Sequence, residues 1–320
     1  MWIEDFIALF SHPSPTVNQI DEAQRIKYAN LPKSLFKFRG INKYSLSNLE
    51  TDTVWVTSAN DYNDPYDSAL QLSYISLLDN SFDIRKMAEK VPSVRQHLNE
   101  KEIKEIQESA EPRHEFVKRM LEKDTEIPVE QHKEFTKALN LAIDKVSESE
   151  VEKIKTFNQS GAKICSFSTL NSSIVMWSHY AANHTGFCIE YDISNLPHSD
   201  LRTRGLFPVI YTHDLFDVTD YFRGGFRNEN FNNLFPILAA MHKSPEWEYE
   251  REWRFIFPLG TSADSWNMGM PTPKAIYLGT RISLENADKL TRIVLDKKID
   301  IYEMQLSSTK FALEPKRLDL

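Results

Sequence analysis

The chain has 320 residues, with 38 Lys plus Arg against 46 Asp plus Glu, a formal charge of −8. Hydrophobic residues make up 41% and aromatics 12%, enough apolar surface for a sizeable core, which excludes a wholly disordered chain. The acidic balance excludes a protein that grips duplex DNA over a broad basic face, and 9 glycines, with no GxxxxGK[ST] and no GxGxxG, leave little material for a phosphate loop.

From the start of the chain, Trp2, Ile3, Phe6, Ile7 and Phe10 recur at helical spacing until Ser11–Pro15 stops them. A second helix follows over Asn18–Asn30, so residues 1–33 read as an N-terminal helical arm. Ser34–Arg39 then alternates apolar and polar, with Leu35, Lys37 and Arg39 on one strand face and Phe36 and Phe38 on the other. A short helix at Tyr44–Leu49, the β-rich run Thr53–Ser58 and an Asn/Asp/Pro turn over Asn60–Asp67 complete the first part of the core, residues 34–81.

Residues 82–158 change character: they are charged, amphipathic and without glycine, and predict three or four helices separated near Pro92, Pro112 and Pro128. This is a helical insertion whose Glu- and Lys-rich surface is either a solvated face or a partner-docking site. Strand signals return over residues 159–320, the second part of the core. They fall at Ala162–Ser168, Gly186–Tyr191, Phe207–Tyr211, Trp247–Phe257, Ala275–Gly279 and Ile301–Leu306, with helices at Ile174–Ala182, Asn230–His242 and Asn286–Leu295. The fold class is α+β, a central mixed or antiparallel sheet with a helical insertion.

Cys165 and Cys188 stand in apolar surroundings and cannot make a disulfide framework. Met1–Asp5 has no basic stretch, and no window approaches the roughly 18 apolar residues of a membrane span. These features predict a cytoplasmic location and no membrane partner.

Several groups carry chemistry. Strand alternation over Trp247–Phe257 places Glu248, Glu250, Glu252 and Arg254 on one face, either solvated or buried for a task. Ser166 and Ser168 lie opposite Cys165 and Phe167, on a satisfied sheet face or a ligand wall. His179, beside Trp177 and Tyr180, either sits partly buried in its helix or lines a pocket as an acid or base. Asp64, Glu250 and Glu252 with Lys243 are a possible divalent-metal set for phosphodiester cleavage, although Asp64 sits in a turn that employs Asp locally. Cys165, His179, His184 and Cys188 lack the paired spacing of zinc ligands, so no metal is expected. Arg223–Arg227 with Asn228–Asn230 is a basic, aromatic loop, either a connector or a nucleotide-closing segment.

Three stretches carry a family resemblance: Leu35–Arg39 with Asn63–Asp67, Cys165–Ser168 through Met176–Ala181 to His184–Cys188, and Lys243 with Trp247, Tyr249, Glu250, Glu252 and Arg254. Together they resemble the bacterial and phage family DUF2971, over roughly residues 34–280 apart from the helical middle. A weaker resemblance is to the ADP-ribosyltransferase superfamily, which places an Arg at the end of the first strand, a Ser-x-Ser strand and a later Glu-x-Glu. That resemblance implies a split sheet and NAD as co-substrate. It implies Arg39 on the pyrophosphate, Ser166 and Ser168 on the NAD wall, and Trp177, Tyr180 or Tyr249 against a ring, with His179 nearby. It also implies Glu252 on the nicotinamide ribose and Glu250 orienting or deprotonating a macromolecular acceptor, protein or nucleic acid, in phage defence or as a toxin. The rival readings are a metal-dependent nuclease and a non-catalytic sensor or interaction domain.

Overall fold

The period-two segments pair into one ten-stranded sheet. In chain order its strands are β1 (Leu35–Arg39), β2 (Thr53–Ser58), β3 (Ala162–Ser168), β4 (Phe187–Tyr191) and β5 (Leu206–Pro208), then β6 (Glu252–Pro258), β7 (Trp266–Gly269), β8 (Ala275–Leu278), β9 (Asp300–Leu306) and β10 (Leu313–Arg317). The computed structural model describes residues 2–223 and 232–319, so most of the Arg223–Asn230 loop singled out above lies outside the described residues.

The strands follow the order β7-β2-β3-β1-β4-β8-β9-β10, with β6 also paired to β3 and β5 to β6. Of these pairs β8–β9 is parallel, and the helix Leu284–Lys297 makes the crossover that a parallel pair requires. The protein is therefore α+β with a mixed sheet. Leu35, Cys165, Phe167, Ile189, Phe255 and Ile276 pack on one face with Leu290 and Val294 of the crossover helix. Phe36, Phe38, Cys188 and Tyr277 pack on the other with Met176 and Trp177 of the helix Ile174–Tyr180.

The pairing around β3 shapes the site. β6 runs along its whole length, from Glu252↔Ser168 to Pro258↔Ala162, and so fills one edge. β2, at Thr57↔Ile164 and Ser58↔Lys163, and β1, at Phe36↔Ser168, must share the other. Between them Cys165–Phe167 have no strand partner on that edge among the described residues, and the sheet is split there.

The chain divides into two compact units. One holds the sheet and comprises the described residues up to Leu70, Phe157–Phe216 and those from Asn232 on; the other comprises Gln71–Thr156 and the described residues from Asp217. In the second, Ile84, Val94, Leu98, Ile103 and Ile106 form the core of a helical cluster. Its helices include Ile84–Lys90, Pro92–His97, Glu100–Gln107, Pro112–Lys123 and most of Val129–Gly161, five over a stretch where the sequence suggested three or four. Pro92 and Pro112 open helices rather than merely separating them, because a first-turn residue needs no N–H.

In the sheet unit, Trp2–Phe10 and Val17–Ala29 form the N-terminal helices, the second opened by a Thr16–Gln19 capping box. The buried Lys27 donates from Nζ to the carbonyls of Thr203 and Arg204, at 3.2 and 2.7 Å, and lies 4.2 Å above the Phe207 ring. Burial, aided by the Arg204 charge, pushes its amine down to about 7.

The structure corrects two expected strands. Trp247–Phe257 is not one strand: Pro245–Glu250 is a 3-10 helix, Arg251 is left-handed at φ 46°, and β6 starts at Glu252. Phe207–Tyr211 is broken after Pro208, and Ile210–Tyr211 pairs instead with His242–Lys243. The helix expected over Asn230–His242 spans Phe235–Met241 among the described residues. No helix there is long and apolar enough to cross a membrane.

Candidate functional site

A cavity of about 440 Å³ opens at the split in the sheet. Its volume falls in the roughly 300–1,000 Å³ range of small-molecule sites. Phe36, Ser168 and Glu252 stand abreast on β1, β3 and β6, about 10 Å from first to last at ordinary strand spacing. Arg39 lies three residues further along β1. Alternation turns it to the other face from Phe36, and it reaches the cavity through the gap between β1 and β2.

The β1 side is cationic. Arg39 donates to Asn48 Oδ1 at 3.0 Å, and the Asn48 amide is itself fixed by Thr53 Oγ1 and Asn267 Oδ1, both at 2.8 Å. Lys37 Nζ donates to the Ser166 carbonyl at 2.7 Å, on the bare edge of β3, and lies 5.4 Å above the Phe167 ring. Among the described residues neither cation has a carboxylate within ion-pair distance. Trp55 and Thr57 of β2 and Asp61–Asn63 wall the cavity nearby. Gly186 permits the close approach of this strand end, since a Cβ there would lie 2.2 Å from the Arg39 carbonyl oxygen.

The opposite side is built by the turn into β6. Ser244 caps the 3-10 helix, Pro245 occupies its first turn, and left-handed Arg251 reverses the chain between the two glutamates. Ser168 Oγ donates to the Glu250 carbonyl at 2.6 Å and Thr169 N to the Arg251 carbonyl at 3.1 Å, which pins the turn to β3. Both carboxylates therefore meet Lys243 Nζ, Glu250 at 2.6 Å and Glu252 at 3.0 Å. Arg254 donates to Glu252 from Nε at 2.8 Å and from its terminal nitrogen at 2.9 Å, and to both oxygens of Asp67 at 2.9 and 3.0 Å. Tyr180 donates to Glu250 Oε1 at 2.5 Å.

Environment separates the two acids. Burial penalises the Glu252 charge, but Arg254 and Lys243 outweigh it and hold the carboxyl well below the usual range. Glu250 is pushed up by burial and by the Glu252 charge, against the pull of Lys243. Burial disfavours the Lys243 ammonium, yet the two carboxylates raise its pKa. Burial and the Glu250 charge raise the Tyr180 phenol. The two carboxylates, two residues apart, are thus driven in opposite directions by their surroundings.

Arg39, Ser166, Ser168, His179, Tyr180, Glu250 and Glu252 all line this cavity. Trp177 does not: it is fully buried, its indole N–H donates to the Asn171 carbonyl at 2.7 Å, and its ring packs edge-on against Phe38. The Ser168 hydroxyl is committed to the turn, so Ser168 positions Glu250. His179 is exposed, with Nδ1 3.2 Å from the Tyr249 hydroxyl. Asp64 is outside the lining and accepts the Tyr66 amide at 2.9 Å, so the suggested metal set is not assembled. Cys165 and Cys188 sit in different cores, and Glu248 is exposed beside Arg251. No group of three or more metal-ligating side chains among the described residues is arranged to hold an ion. Sequence reasoning missed Lys37 and Asp67 as members of the site. Lys37 shares a strand face with Arg39, which was a usable signal; Asp67 offered only its place in a turn.

Residues 176–255 match the family model described as "Protein of unknown function (DUF2971)". No curated protein and no solved structure matches the chain. The matched stretch contains His179, Tyr180, Lys243, Glu250, Glu252 and Arg254. The residues that build the carboxylate end of the cavity thus lie within the stretch that matches this family model.

Proposed function

We propose that the protein is an ADP-ribosyltransferase-like enzyme that uses NAD to modify a macromolecular acceptor. The observation that carries this reading is a single cavity with two cations that have no carboxylate within ion-pair distance among the described residues on one side, and two carboxylates of divergent acidity on the other. Arg39 and Lys37 fit the pyrophosphate, the guanidinium making paired contacts and the ammonium a point charge. NAD supplies a glycosidic C–N bond whose electrons leave with nicotinamide. Glu252, held ionised by Arg254 and Lys243, stabilises the positive charge that develops on the ribose. Glu250 takes the proton from the acceptor as its nucleophile bonds to the ribose carbon, and Tyr180 keeps that carboxylate oriented.

The test is calorimetric titration of NAD into the purified chain, with released nicotinamide measured by chromatography. Arg39→Ala is expected to weaken NAD binding about tenfold, the order of one charge-assisted contact. Glu250→Gln is expected to leave NAD binding within about threefold and cut transfer to an acceptor by about 100-fold or more, the order for loss of a general base. Absence of NAD binding at millimolar concentration would sink the proposal.

A further inference from the structure

Arg254 has no donor to spare. Its guanidinium donates from Nε and Nη2 to Glu252, at 2.8 and 2.9 Å, and from Nη1 and Nη2 to the two Asp67 oxygens, at 2.9 and 3.0 Å. The remaining Nη1 proton goes to the Ala240 carbonyl at 2.7 Å. All five N–H groups are thereby engaged, and the plane of the guanidinium is fixed. Both side chains of the Asp67–Arg254 pair are fully buried, which makes Asp67 a costly partner to desolvate. Charge balance does not call for it: Arg254 and Lys243 already match Glu252 and Glu250, and Asp67 adds a third buried carboxylate to two cations. The turn that presents it carries strain of its own. Ser68 is buried and left-handed at φ 57°, its hydroxyl donates to Asp67 Oδ1 at 3.0 Å, and its carbonyl accepts the Asn158 amide at 2.7 Å. Gln159 donates to the Asp67 carbonyl at 3.0 Å, and both amides belong to the last turn of the helix Val129–Gly161.

A guanidinium given wholly to Glu252 would cancel much of the charge that this carboxylate presents to the cavity. Asp67 divides the guanidinium between two carboxylates, so more of the Glu252 charge is left for a cation that forms in front of it. We propose that Asp67 is a positioning residue for Glu252: acting through Arg254, it fixes the plane of the Glu252 carboxylate and keeps its negative charge available to the ribose. Asp67 is outside the cavity lining, so its effect falls on the reaction and not on NAD binding. Asn158 and Gln159 serve the same end by holding the turn. The proposal rests on the NAD reading for the reaction and adds to it a residue that stands behind the wall.

The test follows nicotinamide release by the full chain against NAD concentration, with calorimetry giving the number of NAD sites per chain so that a loss of folded protein is not read as a fall in kcat. Asp67→Asn, which keeps the shape and removes the charge, is expected to lower kcat about tenfold, the order of one unit charge acting across several ångströms of protein, with KM within about twofold. Asp64→Asn makes the same change at a carboxylate of the same turn that accepts the Tyr66 amide and lies outside the chain of ion pairs. It is expected to leave kcat and KM within about twofold. Asn158→Ala keeps the charge and loosens the turn, and is expected to lower kcat about threefold at unchanged KM, the order of one lost hydrogen bond. An Asp67→Asn chain with its full number of sites and a kcat within about twofold of wild type, a loss carried by KM instead, or an equal loss in Asp64→Asn overturns the proposal and leaves the NAD reading standing. Where Asp67→Asn does not fold, an unchanged kcat in Asn158→Ala overturns it. A wild-type chain that releases no nicotinamide removes both.

Discussion

Glu250 and Glu252 carry the same side chain two positions apart, yet their surroundings drive their acidities in opposite directions. Glu252, depressed by Arg254 and Lys243, contributes stability above the ordinary carboxylate range and loses it as pH falls through its folded value. Glu250, raised by burial, does the opposite and gives up its contribution as pH rises through its folded value. Lys27 extends this logic to a cation with no carboxylate in its hydrogen-bond set. Its amine, lowered to about 7 from 10.5, binds a proton more readily in the unfolded chain across that interval. Stability is therefore expected to rise with pH between 7 and 10.5, by up to about 1.4 kcal/mol per unit from this group. Urea unfolding at pH 7, 8 and 9 checks it: the rise is present in the wild type and smaller in Lys27→Met, whatever the offset between them. At this scale the sequence was informative where a strand end exposes a charge, as at Arg39. It was mute at Trp177, because nothing in a seven-residue helix tells which aromatic turns inward.

β1 was legible from its alternation, and β3 and β4 from short β-rich apolar runs, because strands buried on both faces read as near-continuous hydrophobic stretches. Trp247–Phe257 misled because its alternating Glu and aromatic residues mimic a strand, while the Ser244–Pro245 start signal and the left-handed Arg251 divide it. Arg251 is not glycine, so no local signal marks the reversal that brings both glutamates to Lys243. The split in the sheet was not readable from local pattern either, since it depends on which distant strands share an edge of β3. Gly186 ties an element boundary to the site. Gly186→Ala would place a methyl 2.2 Å from the Arg39 carbonyl, so the end of β1 must shift. A destabilisation of about 1–3 kcal/mol is expected, read by thermal or urea unfolding, with weaker NAD binding than the wild type. An unchanged melting point and unchanged affinity would contradict this account of the strand end.

At the level of the whole molecule, the charge of −8 says little about the cavity, whose lining places Lys37 and Arg39 on the β1 side and Glu250 and Glu252 on the other. An anionic ligand is compatible with an acidic protein when its contacts are local and partly shielded from the remaining surface. The succession of strand runs broken by helices foresaw an α+β protein, while the inclusion of residues from Asp217 in the helical unit had no marker in the local sequence. The pinning of β3 by β6 has a consequence for kinetics as well as shape. The cavity floor belongs to a ladder completed during folding, so its central amides are expected to exchange hydrogen only when the sheet itself opens. Little of the ordering entropy of recognition then falls on the floor, and association is governed more by how the ligand enters the notch than by assembly of its walls.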